Sequence, residues 1–117
     1  IVVVEDEQTS RKALVMLLVT CGYQPRAFSS AEEALEQLRG TPLPHIALVD
    51  LDLPGMSGLD LISRLEKLDP SVFPILITGT DQNTLATRLH NRQVTYLRKP
   101  VNFEVLLTLL SDEQRRN

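Results

Sequence analysis

Residues 45–58 read HIALVDLDLPGMSG, and this stretch decides the fold. A continuous apolar run over residues 46–49 ends in Asp50, which is typical of a strand buried on both faces, and such strands belong to parallel sheets. The residues that follow include a proline and two glycines, so we expect a loop over residues 53–58. An apolar run that stops at a polar group recurs along the rest of the chain.

Short apolar runs alternate with amphipathic segments outside this stretch. Pro25 weakens the second predicted strand and suits an edge position. The predicted strands are residues 1–4, 24–28, 45–50, 74–78 and 94–98; the predicted helices are residues 8–21, one opened by a capping box at residues 30–33, one ending near residue 69, and residues 81–91 and 102–110. This alternation predicts an α/β fold with a parallel sheet and helices on both of its faces.

In two of the helices, apolar positions recur at helical spacing, and we expect them to face the core. They are Leu14, Leu17, Leu18 and Cys21 in the first helix and Leu61, Ile62, Leu65 and Leu68 in the third.

The composition excludes several function classes. The chain has 117 residues, which is enough for one domain with its own core. Its formal net charge of -3 argues against an electrostatic nucleic-acid binder. The longest apolar run, residues 13–19, is far shorter than the roughly 20 residues that span a bilayer. The lone Cys21 has no partner for an internal disulfide, so we expect a reducing, cytoplasmic setting.

The two ends of the chain suggest a piece of a longer protein. Ile1 already lies inside an apolar run, and a polar stretch follows Leu110. We therefore expect residues 1–117 to be a single domain of a multidomain polypeptide.

Groups that carry charge or a hydroxyl terminate the buried strands: Glu5 and Asp6, Asp50, Thr78 and Lys99. The carboxyl ends of parallel strands share one edge of the sheet, so we expect these side chains to converge on one shallow pocket. Two like charges 4 Å apart repel by roughly 4 kcal/mol at an effective dielectric constant of 20. Lys99 supplies one compensating charge, and a hard divalent cation such as Mg²⁺ is the obvious second.

A carboxylate beside Mg²⁺, with a hydroxyl and an ammonium group nearby, is equipped to accept a phosphoryl group. Asp50 would be the nucleophile, Thr78 would hydrogen-bond a phosphoryl oxygen, and Lys99 and the metal would offset the charge. The residues themselves therefore predict a phosphoryl-accepting aspartate.

Four motifs in this order resemble those of response-regulator receiver domains, the CheY-like modules of two-component and phosphorelay signalling. They are Val4-Glu5-Asp6-Glu7, DLDLPGMSG at residues 50–58, Ile77-Thr78-Gly79 and Tyr96-Leu97-Arg98-Lys99-Pro100. The resemblance covers essentially the whole chain. It implies a flavodoxin-like, doubly wound sheet of five parallel strands in the order 2-1-3-4-5, with five helices in a three-layer αβα arrangement. It also implies a signalling phosphoacceptor and not an enzyme, because such a module catalyses only its own phosphorylation and dephosphorylation.

The resemblance assigns roles to the acidic residues. In the family, the acceptor aspartate precedes the loop proline by four positions and the loop glycine by eight, which selects Asp50 and not Asp52. Asp6 and Asp50 would bind Mg²⁺ directly, Glu5 would act mainly through a bound water, and the backbone carbonyl of Asp52 would be a further ligand. Mn²⁺ would be able to substitute. The side chains of Asp52 and Thr80 would flank the attacking water and influence the lifetime of the phosphoaspartate.

The resemblance also implies a switch. Thr78 and Lys99 would sense the phosphoryl group, and Lys99-Pro100 would be a cis peptide. Thr78 would move inward on phosphorylation, and the aromatic Tyr96 would turn into the space that it leaves. The face formed by the fourth helix, fifth strand and fifth helix would then change, as a two-state element biased by one local charge.

Partners follow from the same resemblance. A histidine kinase or phosphotransfer protein would supply the phosphoryl group, and an output domain in the same chain or a second receiver would read the altered face. Direct nucleic-acid binding by this domain and membrane insertion are not expected. Val15, Met16 and Val19 extend apolar surface toward the outside of the first helix, where they either pack against neighbouring helices or mark a contact with a kinase, a second receiver or the rest of the parent chain.

The region of the fourth helix departs from the family pattern. Thr78 and Lys99 are 21 positions apart, one fewer than the family norm, and Arg92-Gln93 stand in place of the usual small pair before the last strand. We therefore expect a shortened or displaced fourth helix.

Two other functions fit parts of the sequence. Asp50-Leu51-Asp52 after an apolar strand resembles the start of haloacid-dehalogenase-type phosphatases, but that pattern belongs on the first strand and is contradicted by Pro54. A receiver-shaped scaffold that works only by protein contact, without phosphorylation, is the other alternative. It would not need the five site positions, all of which are present in this sequence.

Overall fold

A computed structural model describes residues 1–90 and 92–115, and in this part of the chain five strands alternate with five helices. The strands are β1 (Val2–Val4), β2 (Arg26–Phe28), β3 (Ile46–Asp50), β4 (Phe73–Thr78) and β5 (Thr95–Arg98). The helices are α1 (Gln8–Thr20), α2 (Ala31–Leu38), α3 (Gly58–Leu68), α4 (Gln82–Leu89) and α5 (Phe103–Arg115).

The strands form one parallel sheet in the order β2-β1-β3-β4-β5. β3 lies at its centre and is buried along its whole length, which explains why its sequence is continuously apolar and does not alternate. β2, which follows Pro25, is an edge strand. The predicted doubly wound sheet and its strand order are confirmed.

Helices cover both faces of the sheet. One buried apolar cluster joins the sheet to α2, α3 and α4, and a second joins it to α1 and α5. Val2 and Val4 of β1 belong to the first cluster and Val3 to the second, because successive side chains of a strand point to opposite faces. The three-layer αβα arrangement is therefore confirmed.

The last helix is longer than the sequence pattern predicts. The prediction ends near Leu110, but α5 continues to Arg115. Polar contacts hold the additional turn: Glu113 lies 3.2 Å from the His45 imidazole, and Gln114 accepts a hydrogen bond of 3.4 Å from the Tyr23 hydroxyl. Residues 111–115 show no apolar spacing from which this turn could be predicted.

Two residues predicted to face the core are exposed. Cys21 directly follows α1, and Leu68 is the last residue of α3 and is 67% exposed. Both stand at the end of a helix, beyond the turns that pack on the sheet, so the prediction of burial is wrong for them. Met16 and Val19 are 70% and 56% exposed, which leaves apolar surface on the outside of α1.

α4 and α2, with eight residues each, are the shortest helices in the described part of the chain; that α4 is shortened or displaced relative to the family stays a prediction. α4 has Asp81 as its N-cap, with His90 in a left-handed conformation (φ 49°) at its end. The helix therefore ends at Leu89, before residue 91, where the sequence predicts its end. Residue 91 itself lies outside the described residues, as do residues 116 and 117 of the polar end. No helix in the described ranges has both the length and the apolar character that crossing a membrane requires.

Gly58 gives a test of the packing around the loop that follows β3. A Cβ at this position would overlap the backbone carbonyl oxygen of Asp50. We expect Gly58→Ala to lower the free energy of unfolding by about 1–3 kcal/mol, the usual cost of overpacking, as measured by urea denaturation. Gly79→Ala is the matched control, because a Cβ there meets nothing within 4 Å. Equal stability of the two variants would contradict the close approach.

Candidate functional site

Four strands bring polar side chains to one edge of the sheet. Asp50 and Thr78 are the last residues of β3 and β4, and Glu5 and Lys99 directly follow β1 and β5. These four strands are parallel neighbours, so their carboxyl ends lie side by side, where open α/β sheets bind ligands. Glu5, Asp50 and Thr78 are buried, while Asp6 is exposed at the rim. The structure thus brings these residues together at one edge of the sheet, as the sequence predicts.

Lys99 lies between two buried carboxylates. Its ammonium nitrogen is 2.9 Å from Oδ2 of Asp50 and 3.1 Å from Oε1 of Glu5. The peptide bond between Lys99 and Pro100 is cis, as the resemblance implies. One positive charge is therefore shared by two acids that are withdrawn from water.

The ionisation of the three groups reflects this sharing. Burial, and then the hydrogen bond with Asp50 and its negative charge, raise the pKa of Glu5 to about 7. Burial works against ionised Asp50 as well, but hydrogen bonds from Glu5, Lys99 and the Asp52 N–H outweigh it and lower the pKa of Asp50. Burial alone would lower the pKa of Lys99, yet its contacts with Asp50 and Glu5 raise it. The arrangement therefore keeps Asp50 and Lys99 ionised, whereas the nearby negative charge and burial disfavour the ionised form of Glu5.

The acidic residues are placed to hold a metal ion. Glu5, Asp6 and Asp50 each offer a carboxylate oxygen, and these oxygens lie within 4.8 Å of one another. Oε2 of Glu5 is buried and has no hydrogen-bond partner among the described residues. Since buried polar atoms rarely lack a partner, this oxygen indicates a missing ligand or water. An all-oxygen donor set of this kind fits a hard divalent cation such as Mg²⁺.

The loop between β3 and α3 is fixed at two points. The Asp52 N–H donates a hydrogen bond of 2.8 Å to Oδ1 of Asp50, which places the backbone of Asp52 directly beside the Asp50 carboxylate. Further along, the Met56 N–H donates to the Glu32 carboxylate of α2 at 3.0 Å. The assignment of the Asp52 carbonyl as a metal ligand stays a prediction.

A second group of polar side chains lies on the α4 side of Asp50. Oγ1 of Thr78 accepts a hydrogen bond of 2.9 Å from the Thr80 N–H. The Thr80 hydroxyl in turn lies 3.4 Å from Oδ2 of Asp52, and the Arg88 guanidinium lies 2.6 Å from Oδ1 of Asp52. The two positions expected to flank the attacking water are therefore in contact with each other.

Tyr96 is half-buried on β5 and packs against the apolar cluster that joins the sheet to α2, α3 and α4. It pairs with Leu76 of β4, two residues before Thr78. The switching role of Tyr96 stays a prediction.

Three residues that hold the site were not found from the sequence: Arg11, Glu32 and Arg88. Arg11 donates to the backbone carbonyls of Glu5 and Asp6 at 2.9 and 3.3 Å. Glu32 contacts Met56, 24 positions away in the chain, and Arg88 contacts Asp52, 36 positions away. No motif or spacing marks such contacts, since they exist only once the helices are packed.

Comparison with known proteins agrees with this geometry. The family model described as the response regulator receiver domain matches residues 1–111. The two-component response regulator PhoP of Pseudomonas aeruginosa is 40% identical over 120 aligned positions, which cover 100% of this chain and 52% of PhoP. A cyclic di-GMP phosphodiesterase of Thermotoga maritima is 28% identical over 107 positions, which cover 91% of this chain and 28% of the relative. The chain thus spans about half or less of the length of these curated relatives.

A solved structure gives the same result for the fold. The response regulator receiver domain protein from Clostridium thermocellum superimposes with a TM-score of 0.86 at 26% identity, over 98% of this chain and 93% of the other. With the family model matched over nearly the whole length, the chain belongs to the response regulator receiver domain family.

Proposed function

We propose that this domain is the phosphoryl-accepting switch of a two-component system or phosphorelay. Asp50 would take a phosphoryl group from the phosphohistidine of a histidine kinase or phosphotransfer protein. The observation that carries the proposal is the position of the Lys99 ammonium, 2.9 Å from the Asp50 carboxylate and 3.1 Å from that of Glu5, at a buried acidic edge of the sheet. A cation at this distance both keeps Asp50 ionised and can offset charge on an incoming phosphoryl group.

Asp50, Lys99 and Thr78 would each have a separate role in the transfer step. An oxygen of Asp50 forms the bond to phosphorus while the bond between phosphorus and the histidine nitrogen breaks, and the electron pair of that bond remains on the imidazole. Lys99 offsets negative charge on the phosphoryl oxygens. Because Thr78 Oγ1 already accepts a hydrogen bond from the Thr80 N–H, its own O–H is available to donate to a phosphoryl oxygen.

Mg²⁺, or Mn²⁺ in its place, would complete the site. We assign the metal to the carboxylates of Asp6 and Asp50 and the backbone carbonyl of Asp52, with Glu5 acting through a bound water. When bound, the metal supplies Lewis-acid stabilisation of the charge on the phosphoryl group. The unpartnered, buried Oε2 of Glu5 supports a water or ligand at this place.

The output would be a change of surface. A phosphoryl group on Asp50 would draw Thr78 toward it, and Tyr96, two residues along β5 from the pairing partner of Thr78, would turn into the vacated space. The altered face comprises α4, β5 and α5 and would be read by an output domain or by a second receiver. Asp52 and Thr80 would set how long this state persists.

We also propose that the domain works inside a longer cytoplasmic protein. The curated relatives carry different names, a two-component response regulator in one case and a cyclic di-GMP phosphodiesterase in another, while this chain matches only a part of each. One module shared by differently named proteins favours a regulatory role for the module, with the output activity carried elsewhere. Contacts with nucleic acid or membrane would then belong to other parts of the protein.

Phosphorylation is tested by mass spectrometry of the intact chain. Incubated with acetyl phosphate and Mg²⁺, the domain should gain the mass of one phosphoryl group, and it should not do so in excess EDTA. Asp50→Asn should abolish the gain, because an amide is not a nucleophile here. Asp52→Asn should still gain mass, which separates the two aspartates of the motif, and Asp60→Asn, at an exposed position in the first turn of α3, is the matched control.

Three outcomes would contradict this proposal. A gain of mass that survives in Asp50→Asn would place the modification elsewhere. No gain in any chain, with a folded protein and Mg²⁺ present, would favour the scaffold that works by protein contact alone, and steady release of phosphate from varied phosphomonoesters would favour a phosphatase.

The electrostatic crowding gives an independent test of the metal site. At pH 8, above the pKa of about 7 of Glu5, this side chain is ionised; an acid with a raised pKa in the folded state destabilises the fold in that pH range. Glu5→Gln removes the charge and keeps an oxygen for Lys99. We expect it to raise the free energy of unfolding in EDTA on the order of 1 kcal/mol by urea denaturation.

Millimolar Mg²⁺ should stabilise the unmodified domain, because a ligand bound only by the folded state shifts the unfolding equilibrium. The same Mg²⁺ should stabilise Glu5→Gln less. Glu36→Gln, at an exposed position on α2, is the control and should behave as the unmodified chain does. A Glu5→Gln chain that is less stable than the unmodified one in EDTA would contradict the proposed crowding.

A further inference from the structure

An ion pair on the α4 side of the site is not explained by phosphoryl transfer. The Arg88 guanidinium lies 2.6 Å from Oδ1 of Asp52, and the two side chains are 37% and 49% exposed. Ion pairs with this exposure contribute little to the stability of a fold. The pair nevertheless joins the last turn of α4 to the residue that stands two positions after Asp50.

The surrounding contacts fix the direction of the Asp52 carboxylate. Arg88 holds Oδ1, and the Thr80 hydroxyl lies 3.4 Å from Oδ2. The backbone N–H of Asp52 is bound to Oδ1 of Asp50 at 2.8 Å. Both carboxylate oxygens of Asp52 are therefore directed toward the β4–α4 region, while its backbone remains beside the acceptor.

Arg88 lies in the last turn of α4. Leu85, three residues earlier on the same side of α4, is buried in the apolar cluster. The helix ends directly after Arg88 and Leu89, with His90 in a left-handed conformation whose N–H donates to the Thr87 carbonyl. Arg88 thus reaches Asp52 from the last turn of α4.

We propose that Arg88 is a positioning residue that lengthens the lifetime of the phosphoryl group on Asp50 by holding the Asp52 carboxylate away from the attacking water. This inference rests on the proposed function. In hydrolysis, the water oxygen bonds to phosphorus, the bond between phosphorus and the Asp50 oxygen breaks, and its electron pair returns to the Asp50 carboxylate. The proton lost by the water leaves with the inorganic phosphate that forms. A carboxylate two residues from Asp50, once turned toward it, accepts a hydrogen bond from this water and orients it for attack.

Arg88 keeps Asp52 out of that role by geometry. It occupies Oδ1 with a charge-assisted hydrogen bond that must break before this oxygen can turn toward Asp50. Without Arg88 the carboxylate of Asp52 is free to orient the water, and hydrolysis becomes faster.

The test measures the half-life of the phosphorylated chain after removal of acetyl phosphate, in Mg²⁺, with Arg88→Ala, Arg88→Lys, Asp52→Asn and the double variant. Arg88→Ala should shorten the half-life by roughly three- to ten-fold, the effect expected of one hydrogen bond that orients the attacking water. Arg88→Lys should restore most of it. In the Asp52→Asn background, Arg88→Ala should have no further effect, because Arg88 acts through that carboxylate. Arg39→Ala, at an exposed position after α2, is the matched control.

The outcomes separate this inference from the function on which it rests. Phosphorylated chains with equal half-lives in Arg88→Ala and the unmodified domain would overturn the role of Arg88 and leave Asp50 as the acceptor. An equal shortening in the Asp52→Asn background would also overturn it, since Arg88 would then act by another route. Absence of phosphorylation in every chain would overturn the proposed function, and the role of Arg88 with it.

Discussion

The domain buries two carboxylates, Glu5 and Asp50, beside one ammonium group, that of Lys99, and the remainder of the site is arranged around this shortage of positive charge. Removing a carboxylate from water is unfavourable unless it is paired and hydrogen-bonded. Asp50 has both kinds of partner, whereas one oxygen of Glu5 has none among the described residues. A second cation is the simplest way to satisfy the arrangement, and a phosphoryl group would increase the need for it.

The parallel sheet prevents the acids from moving apart. Glu5 directly follows β1 and Asp50 ends β3, and these strands are adjacent and bonded in register from Val2 and Ala47 to Val4 and Val49. Apolar clusters on both faces fix the strands. The free energy of that packing therefore holds the two like charges close together, whereas carboxylates on a loop would move apart. Function and stability are opposed at this edge of the sheet.

The parallel sheet and the residues at the ends of its strands could be predicted because both depend on short-range patterns, whereas the order of the strands is implied only by the resemblance to the receiver family. Continuous apolar runs mark buried parallel strands, and the group that follows each run lies at the carboxyl edge whatever the loops do, as with Asp50 and Lys99. The extra turn of α5 and the exposure of Leu68 could not be predicted, since they depend on where a helix passes beyond its neighbours. The contact of Arg88 with Asp52 crosses 36 positions of sequence and needs the packed position of α4.

The two oxygens of Asp50 belong to different networks, and this division connects the chemistry to the fold. Oδ2 contacts Lys99, which also contacts Glu5 on the β1 side. Oδ1 accepts from the backbone of Asp52, whose side chain leads through Thr80 and Arg88 to α4. The first network sets the charge around Asp50, and the second contacts α4, which is part of the proposed output face. In the proposed mechanism, substitutions in α4 would alter how long the phosphoryl group stays on Asp50 without touching the groups that transfer it, so the duration of the signal would be separable from its chemistry.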